Sequence, residues 1–467
     1  MPFGLSFRVS LGVPLRLRFR GAALKQETPG TGWVYDFWDS VRDYAFVREE
    51  DNVLILPPNK VYKTNESGVK ILQFLDAGGR FDAAHGFDES RLRDVTAFFS
   101  DIKAICEGRD VVTETVAYDF DFTRLPILGE IAVTYRCNNR CRFCYAGCGA
   151  PDESVRSNGI GDRGVRDLER IIDIFRDRAK IPFFSFTGGE PLLRADLEEL
   201  ISYAIARKLR VNLITNGTLA TSKRAASLYR AGLRTAQVSL ESPDPAVHDA
   251  LCASSGSWNA TVAGIAALRN AGIEVQTNST VTSANRESLS AMPEFLASIG
   301  VRRFSMNLFI PSRNNIHASE LFVPYSGIGS FVDGIRKKAQ AAGLTFFWYS
   351  PTPLCLYNPM AKGLGNKNCA ASDGLISVDP EGNVLPCSSY PESVGNLLDS
   401  DFDEVWFSSR AAHFKNKRYA PDKCRTCGSF VACQAACPLY WDFAGYGELE
   451  TAWSGRAERK CAPVEVR

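Results

Sequence analysis

The chain has 467 residues, 45% of them apolar, and its 54 basic and 53 acidic side chains leave a net charge of +1. Near-neutral charge offers no footprint for nucleic acid or an anionic membrane surface, and no run of about 18 apolar residues marks a membrane span. Fourteen cysteines against four histidines, in a chain with no export signal, favour thiolate metal or redox sites over disulfides and over histidine-based hydrolysis.

In chain order, the N-terminus MPFGLSFRVSLGVPLRLRFRGAA has Arg16, Arg18 and Arg20 where a signal peptide needs an apolar core. LRLRFRG alternates like a strand, and the protein is expected to stay unprocessed in the cytoplasm. Residues 1–46 carry no assigned role. Residues 47–108 read as one small unit. NVLILPP is an apolar strand closed by Pro57 and Pro58, and KVYKTN alternates as its hairpin partner. Asn65 caps a helix, ESGVKILQFL, with Val69, Leu72 and Leu75 on one stripe, and Gly78 and Gly79 end it. A second helix over 91–106 aligns Val95, Phe98, Phe99, Ile102 and Ile105. Residues 109–126 are left as a linker.

From Ile127 the pattern changes. ILGEIAVTY, IPFFSFTGGE, RVNLITNG, RTAQVSLES, IEVQTNSTVT and RRFSMNLFI are strand-like runs, separated by helical stretches at 167–179, 196–208, 223–232, 259–271 and 288–299. This alternation predicts an α/β fold with a parallel sheet over 127–320, closed or partly closed, with chemistry at the strand C-terminal ends. Residues 321–354 form a bridging segment. Over 355–467 the alternation stops and eight cysteines gather: Cys355, Cys369, Cys387, Cys424, Cys427, Cys433, Cys437 and Cys461. Bound metal, more than a large apolar core, is expected to hold such a loop-rich segment together.

The first barrel strand runs into YRCNNRCRFCYAGCGAP. Cys137, Cys141 and Cys144 are spaced x3 then x2. Three thiolates on one loop can hold three irons of a cubane and leave the fourth open. A closed zinc site that also uses Cys148 is the alternative; Cys148 stays undecided between packing and the rim of this site. TGGEP at 187–191 ends the second strand, TNGT at 215–218 the third and VSLES at 238–242 the fourth. Gly188 and Gly189 let backbone approach a ligand, and Glu190 supplies charge. Taken singly, each strand end is also an ordinary polar turn.

Together these residues resemble the radical S-adenosylmethionine (radical SAM) superfamily. The resemblance implies a partial (β/α)6 barrel and a 4Fe–4S cluster on Cys137, Cys141 and Cys144. Its open iron would be chelated by S-adenosylmethionine, which is cleaved to methionine and a 5′-deoxyadenosyl radical. Gly188, Gly189, Glu190 and Pro191 would hold the methionine amino group, and Ser239 and Glu241 the ribose or carboxylate. Tyr145, Thr215 and Asn216 belong to the same cofactor-binding surface. Relatives often carry Asp-Gly where this chain has Glu241 and Ser242.

The later cysteines follow Cys369-x12-Gly382-x4-Cys387, then Cys424-x2-Cys427-x5-Cys433-x3-Cys437, then Cys461. This resembles the SPASM extension of radical SAM enzymes, which binds one or two auxiliary clusters. By that resemblance Cys355, Cys369, Cys387 and Cys437 hold one 4Fe–4S cluster, and Cys424, Cys427, Cys433 and Cys461 the other. A pair of zinc ribbons is the alternative. Cys106 and Cys252 match nothing and read as packed thiols. Residues 47–79 are similar to the small chaperone of the pyrroloquinoline quinone pathway, a winged-helix-like α+β domain that binds leader peptides by strand addition. A capping or dimerisation domain is the bland alternative.

The function implied is oxidative modification of a leader-bearing precursor peptide or small protein, by a thioether or a carbon–carbon or ether crosslink. An external donor such as flavodoxin or ferredoxin would supply electrons. A formylglycine-forming sulfatase maturase is a second reading, although such relatives carry aspartate after the position of Cys387 and this chain has Ser388. Tetrapyrrole side-chain chemistry is a third. A non-catalytic electron-transfer or peptide-binding module is the fourth, and TGGEP beside the cysteine triad argues against it.

Overall fold

The computed structural model describes residues 7–9, 31–56, 60–82, 85–107, 122–148 and 162–454. LRLRFRG, Pro57–Pro58, most of the 109–126 linker and Cys461 lie outside them. The chain divides into two compact units, Met1–Ile127 and Leu128–Arg467. Among the described residues no helix is long and apolar enough to cross a membrane.

The first unit is a four-stranded antiparallel sheet in the order β1-β4-β3-β2, from Phe7–Val9 (β1), Phe46–Arg48 (β2), Val53–Leu56 (β3) and Lys60–Thr64 (β4). Helices α1 (Gly32–Val41), α2 (Glu66–Asp76) and α3 (Glu89–Glu107) supply its core, in which Trp38, Leu54, Leu72, Phe98, Phe99 and Ile102 are buried together. The Asn65 side chain accepts the Gly68 N–H at 2.8 Å, so the N-cap signal acts as expected. Neither β1 nor α1 was foreseen in the sequence. At the β2–β3 turn Asn52 takes φ +54°. The buried Arg48 grips Asp51 through two bonds of 2.8 and 2.7 Å and donates to the carbonyls of Pro126 and Leu125, which ties the end of the unit to its sheet.

The second unit is a ten-stranded sheet in the order β11-β10-β9-β8-β7-β6-β5-β12-β13-β14. The strands are β5 (Leu128–Ala132), β6 (Phe183–Thr187), β7 (Arg210–Thr215), β8 (Thr235–Ser239), β9 (Glu274–Val281), β10 (Arg303–Leu308), β11 (Thr345–Trp348), β12 (Leu375–Val378), β13 (Asn383–Leu385) and β14 (Gly395–Asn396). Every neighbouring pair from β11 to β12 is parallel, whereas β13 and β14 add antiparallel. Among the described residues β11 and β14 each pair on one side only, so the sheet is an open, partial barrel. Six of the parallel strands are those read from the sequence; β11 and β12 extend the set on both sides.

Helices cover one face. α4 (Val165–Asp177) buries Leu168, Ile171, Ile172 and Phe175. Its Phe175 packs so close to Gly129 of β5 that a Cβ there would lie 2.4 Å from the ring. α5 (Leu197–Ala206), α6 (Ser222–Arg230), α7 (Pro245–Cys252), α8 (Ser257–Asn270), α9 (Met292–Ser298) and α10 (Gly329–Ala341) follow in turn. The strands alternate accordingly: in β9, Val275, Thr277, Ser279 and Val281 are buried, and Gln276, Asn278 and Thr280 face the other way. That second face is polar. Asn212 pairs with Ser185 at 3.2 Å, Asn278 with Asn307 at 2.8 Å, and Gln276 with Ser305 at 3.1 Å. A polar inner face leaves room for a polar ligand instead of a side-chain-filled core.

Candidate active site

The cysteine loop leaves the C-terminal end of β5, and neighbouring strand ends hold it by backbone. Gly189 N donates to Thr134 O at 2.7 Å and Glu190 N to Arg136 O at 2.8 Å. The two glycines are needed for this contact. Gly188 has φ +137°, and a Cβ on it would lie 2.1 Å from Thr134 O; one on Gly189 would lie 2.3 Å from Arg136 O. TGGEP therefore packs directly on the start of the loop. Besides the approach to a ligand expected of these glycines, they permit close approach to the backbone of the loop. Tyr145 OH donates to Gly188 O at 3.2 Å and lies 3.4 Å from Thr187 Oγ1, closing the same seam, and burial raises its hydroxyl above the usual range.

Glu190 is fully buried. It accepts Leu192 N at 2.9 Å and Thr215 Oγ1 at 2.7 Å on one oxygen, and Asn216 N at 2.8 Å on the other. Burial pushes its carboxyl up, and these three donors oppose the shift. The carboxylate thus braces β6 to β7, with acceptor capacity remaining on Oε2. Pro191 continues the turn, buried at the start of a short 3-10 segment. Asn216 reaches the cysteine loop: its Nδ2 is 2.9 Å from Asn138 Oδ1 and 3.9 Å from Cys137 Sγ. Asn138 Nδ2 donates in return to Thr218 Oγ1 at 2.8 Å.

Two of the three loop thiols, Cys137 and Cys144, are set up to ionise. Cys144 is lowered to about 7, first by a hydrogen bond from Cys148 and then by the N–H groups of Cys148, Ala146 and Gly147. Cys137 is lowered by Cys148 and by Asn139 N–H, 3.4 Å from its sulfur. Cys148 stays protonated. Its S–H lies 3.3 Å from Tyr135 O, and the two neighbouring sulfurs raise it strongly. Cys141 differs: the neighbouring Cys252 sulfur and burial push its thiol well up, while Cys252 is lowered to about 6. This donor set fits an iron–sulfur cluster: soft thiolates backed by N–H groups that favour the charged form. Among the described residues no three His, Cys, Asp or Glu side chains converge on one ion-sized point.

At the end of β8, Ser239 is part-exposed and Glu241 is buried. Glu241 Oε2 accepts Thr280 N at 2.7 Å, and Asn285 Nδ2 donates to its carbonyl at 2.7 Å. Burial first and the Cys252 sulfur second push the carboxyl well up. The sequence reading missed several residues here. Phe143, inside the cysteine loop, packs with Leu251, Phe309, Ala318 and Leu321. Asn314 and Asn315 donate to the carbonyls of Tyr145 and Phe143. Glu130 on β5 is bonded by Ser377 at 3.2 Å and by Ser388, and burial raises its carboxyl. Alternation along β5 was the available signal for Glu130; no local pattern marks the others.

The remaining cysteines form two groups. Cys437 is raised by burial and by Cys369 and Cys387, and Cys387 is pushed up to about 12 by burial and then Cys369. Cys424 is likewise pushed up to about 12 by burial, Cys433, Cys355 and Cys427. Cys355 thus acts on the second group, and Leu354 N donates to Cys433 Sγ at 3.4 Å. The resemblance had grouped Cys355 with Cys369, Cys387 and Cys437. Between Cys433 and Cys437 the three residues Gln434, Ala435 and Ala436 all take left-handed φ, +52°, +55° and +59°. This turn sends the two sulfurs to different groups. Tyr419 OH to Ala436 O at 3.0 Å and Trp441 Nε1 to Ala435 O at 2.6 Å hold it. Buried thiols crowded this way fit metal ligation, which removes the protons and compensates the charge.

Comparison with known proteins agrees with this geometry. Residues 131–314 match the Radical SAM superfamily and residues 369–428 the SPASM iron-sulfur cluster-binding domain. The chain carries a radical SAM domain followed by a SPASM iron-sulfur cluster-binding domain. The radical SAM domain takes in β5 to β10, and the SPASM match runs from Cys369 past Cys427. The chain is 28% identical to AdoMet-dependent heme synthase of Nitratidesulfovibrio vulgaris over 71% of its own length and 92% of that protein. It is 28% identical to mycofactocin maturase MftC of Mycolicibacterium smegmatis over 68% of its length and 80% of that protein. In fold it is similar to Streptococcus suis SuiB bound to precursor peptide SuiA, with a TM-score of 0.64 and 15% identity, covering 85% of this chain and 95% of that one.

Proposed function

We propose that this radical SAM enzyme is a maturase that oxidatively modifies a ribosomally made, leader-bearing peptide or small protein, forming a thioether or a carbon–carbon or ether crosslink. The extent of the likeness to SuiB carries this reading. Residues 128–467 make up less than three-quarters of the chain, so a match over 85% reaches into the first unit. SuiB is described with its precursor peptide, and MftC is named a maturase. Among the described residues β1 and β2 are the outermost strands of the first unit's sheet, and strand addition to such a sheet is a known mode of peptide capture. In this reading residues 47–108 recognise the leader, 127–320 carry the radical chemistry and 355–467 the auxiliary clusters.

A 4Fe–4S cluster with S-adenosylmethionine would supply radical chemistry for hydrogen abstraction here. The chain's own residues position and shield it. Cys137, Cys141 and Cys144 hold the cluster, and Gly188, Gly189, Glu190, Pro191, Thr215, Asn216, Ser239, Glu241 and Tyr145 line the cofactor side. Cys369, Cys387 and Cys437 hold one auxiliary cluster, and Cys424, Cys427 and Cys433 the other, with Cys355 or Cys461 completing the ligand sets. An external flavodoxin or ferredoxin provides the electron. Anaerobically reconstituted enzyme is then expected to hold about twelve irons, in three clusters. Iron analysis giving about four would remove both auxiliary clusters.

The heme synthase relative favours a second reading, chemistry on a tetrapyrrole. Its match covers 71% of the chain and 92% of that protein. One experiment separates the two. The product of a short open reading frame beside this gene is offered to the full-length enzyme, in parallel with a porphyrin. The peptide is expected to bind and, after turnover with S-adenosylmethionine, to lose two hydrogen atoms by mass spectrometry. Porphyrin binding with no peptide binding would replace the first reading by the second.

A further inference from the structure

Lys367 lies in the stretch between β11 and β12. Its ammonium sits over the ring of Tyr349, 4.8 Å from the centroid. That ring is fixed. Tyr349 N donates to Met306 O at 2.8 Å, which continues β11 alongside β10, and Gln276 Nε2 donates to the Tyr349 hydroxyl at 3.0 Å. Phe347, two residues back, stacks on it with ring centroids 6.0 Å apart. Gln276 belongs to the polar face of β9, so the tyrosine and the ammonium on it lie at that face. The segment that carries the lysine is held from its other side, by Asn366 Nδ2 donating to Ala432 O at 2.8 Å.

A cation taken out of water needs an anion, and several cations of this chain have one. Arg48 pairs with Asp51 at 2.7 Å, Arg194 with Asp196 at 2.7 Å and Lys417 with Asp373 at 3.1 Å. Lys367 differs. Among the described residues no carboxylate pairs with it, and burial alone acts on its ammonium, disfavouring the charge. The side chain is nevertheless part-exposed. An aromatic face compensates a cation less well than a carboxylate does. The polar groups nearby are neutral: Gln276 bonds Ser305, and Asn278 bonds Asn307. Arg303, the next cation on this side, is engaged by Glu274 at 3.0 Å. One free ammonium among neutral amides suits a single negative charge, whereas a phosphate calls for several donors or a helix N-terminus.

We propose that Lys367, seated on the Tyr349 ring, binds a carboxylate of the substrate at the polar face of the sheet. The proposal deepens the maturase reading and rests on it for the first source of that group, an aspartate, glutamate or C-terminal carboxylate of the precursor peptide. A carboxylate side chain of a tetrapyrrole is the other source. In both cases the ion pair forms only in the complex and fixes the substrate relative to the strand ends that hold the cofactor.

The test is calorimetric binding to the reconstituted full-length enzyme, for the parent, Lys367→Met and Lys367→Arg. The probes are the product of the short open reading frame beside the gene and a carboxylate-bearing porphyrin. In Lys367→Met the peptide is expected to bind about tenfold more weakly; Lys367→Arg keeps the charge and should lose less. The acidic groups of the peptide are changed to amides one at a time. One of these changes should weaken binding to the parent by the same factor and leave binding to Lys367→Met as it was. Iron content and thermal melting of ligand-free Lys367→Met should not fall, because an uncompensated ammonium gives way to an apolar chain of similar size. A merely structural lysine would lower the melting. Parent-like affinity of Lys367→Met for both probes overturns the proposal and leaves the maturase reading standing. So does a loss of affinity that no amide change reproduces, or a loss of iron. Porphyrin binding that needs Lys367 and is weakened in the methyl ester, with no peptide binding, keeps the subsite and replaces the maturase reading. If the parent binds neither probe, both fail.

Discussion

Replacing Cys137, Cys141 and Cys144 together with alanine is expected to reduce 5′-deoxyadenosine release to the uncatalysed background and to remove about four of roughly twelve irons. The three thiols serve one cluster, so any single replacement should cost nearly as much as all three, a non-additivity typical of groups that act as a unit. The fold should survive. The loop is tied down independently by Gly189 N to Thr134 O, Glu190 N to Arg136 O, and the Asn138 side chain with Asn216 and Thr218. Thermal melting of the ligand-free variant should therefore match that of ligand-free parent, which separates lost chemistry from lost structure. Continued 5′-deoxyadenosine release would show that the radical does not originate at this loop.

The second large effect is expected from Gly188→Ala. The added methyl would lie 2.1 Å from Thr134 O, a backbone atom that has no rotamer to escape into, and the residue would be held at φ +137°. Overpacking of this kind costs ~1–3 kcal/mol and a disfavoured φ/ψ region a similar amount. Relief requires TGGEP to lift off the loop, which breaks the Gly189–Thr134 bond and the Tyr145 contact to Gly188 O. Stability should fall by roughly 4 kcal/mol in chemical denaturation, and S-adenosylmethionine binding by equilibrium dialysis should weaken at least tenfold. Gly256→Ala is the comparison. It has φ +78° with nothing within 4 Å of the added atom, so only the backbone term of ~1–2 kcal/mol applies. Equal losses in the two variants would mean that φ alone, and not the contact with Thr134, sets the cost.

The barrel was legible because its strands repeat a simple contrast. Each of β5 to β10 is an apolar or alternating run ended by a polar or glycine-rich turn, and each intervening helix carries a clear apolar stripe. β11 and β12 were not read, because TFFW and LISV are four residues each and identify themselves only by their neighbours. β12 pairs with β5 across 247 residues between Glu130 and Ser377, a partnership that local propensity cannot contain. The motif residues were found by spacing, but their contacts were not. Glu190 reads as a charge for the ligand, and what the spacing does not show is that its carboxylate also braces β6 to β7 through three donors. Cys252 read as a packed thiol because nothing in its surroundings in sequence points to Cys141. Only the helix end meeting the loop brings them together.

The left-handed turn at Gln434–Ala436 has a consequence for how the SPASM region comes together. Each such non-glycine residue costs about 1–2 kcal/mol against its right-handed form, so the turn opposes its own formation by several kcal/mol. Tyr419 and Trp441 restrain its carbonyls from outside, while Cys433 and Cys437 pull it from its two ends towards different thiol groups. Occupying one group fixes one end and lowers the conformational cost of fixing the other. Metal held by one thiol group would therefore favour ordering of the other, through three residues of chain.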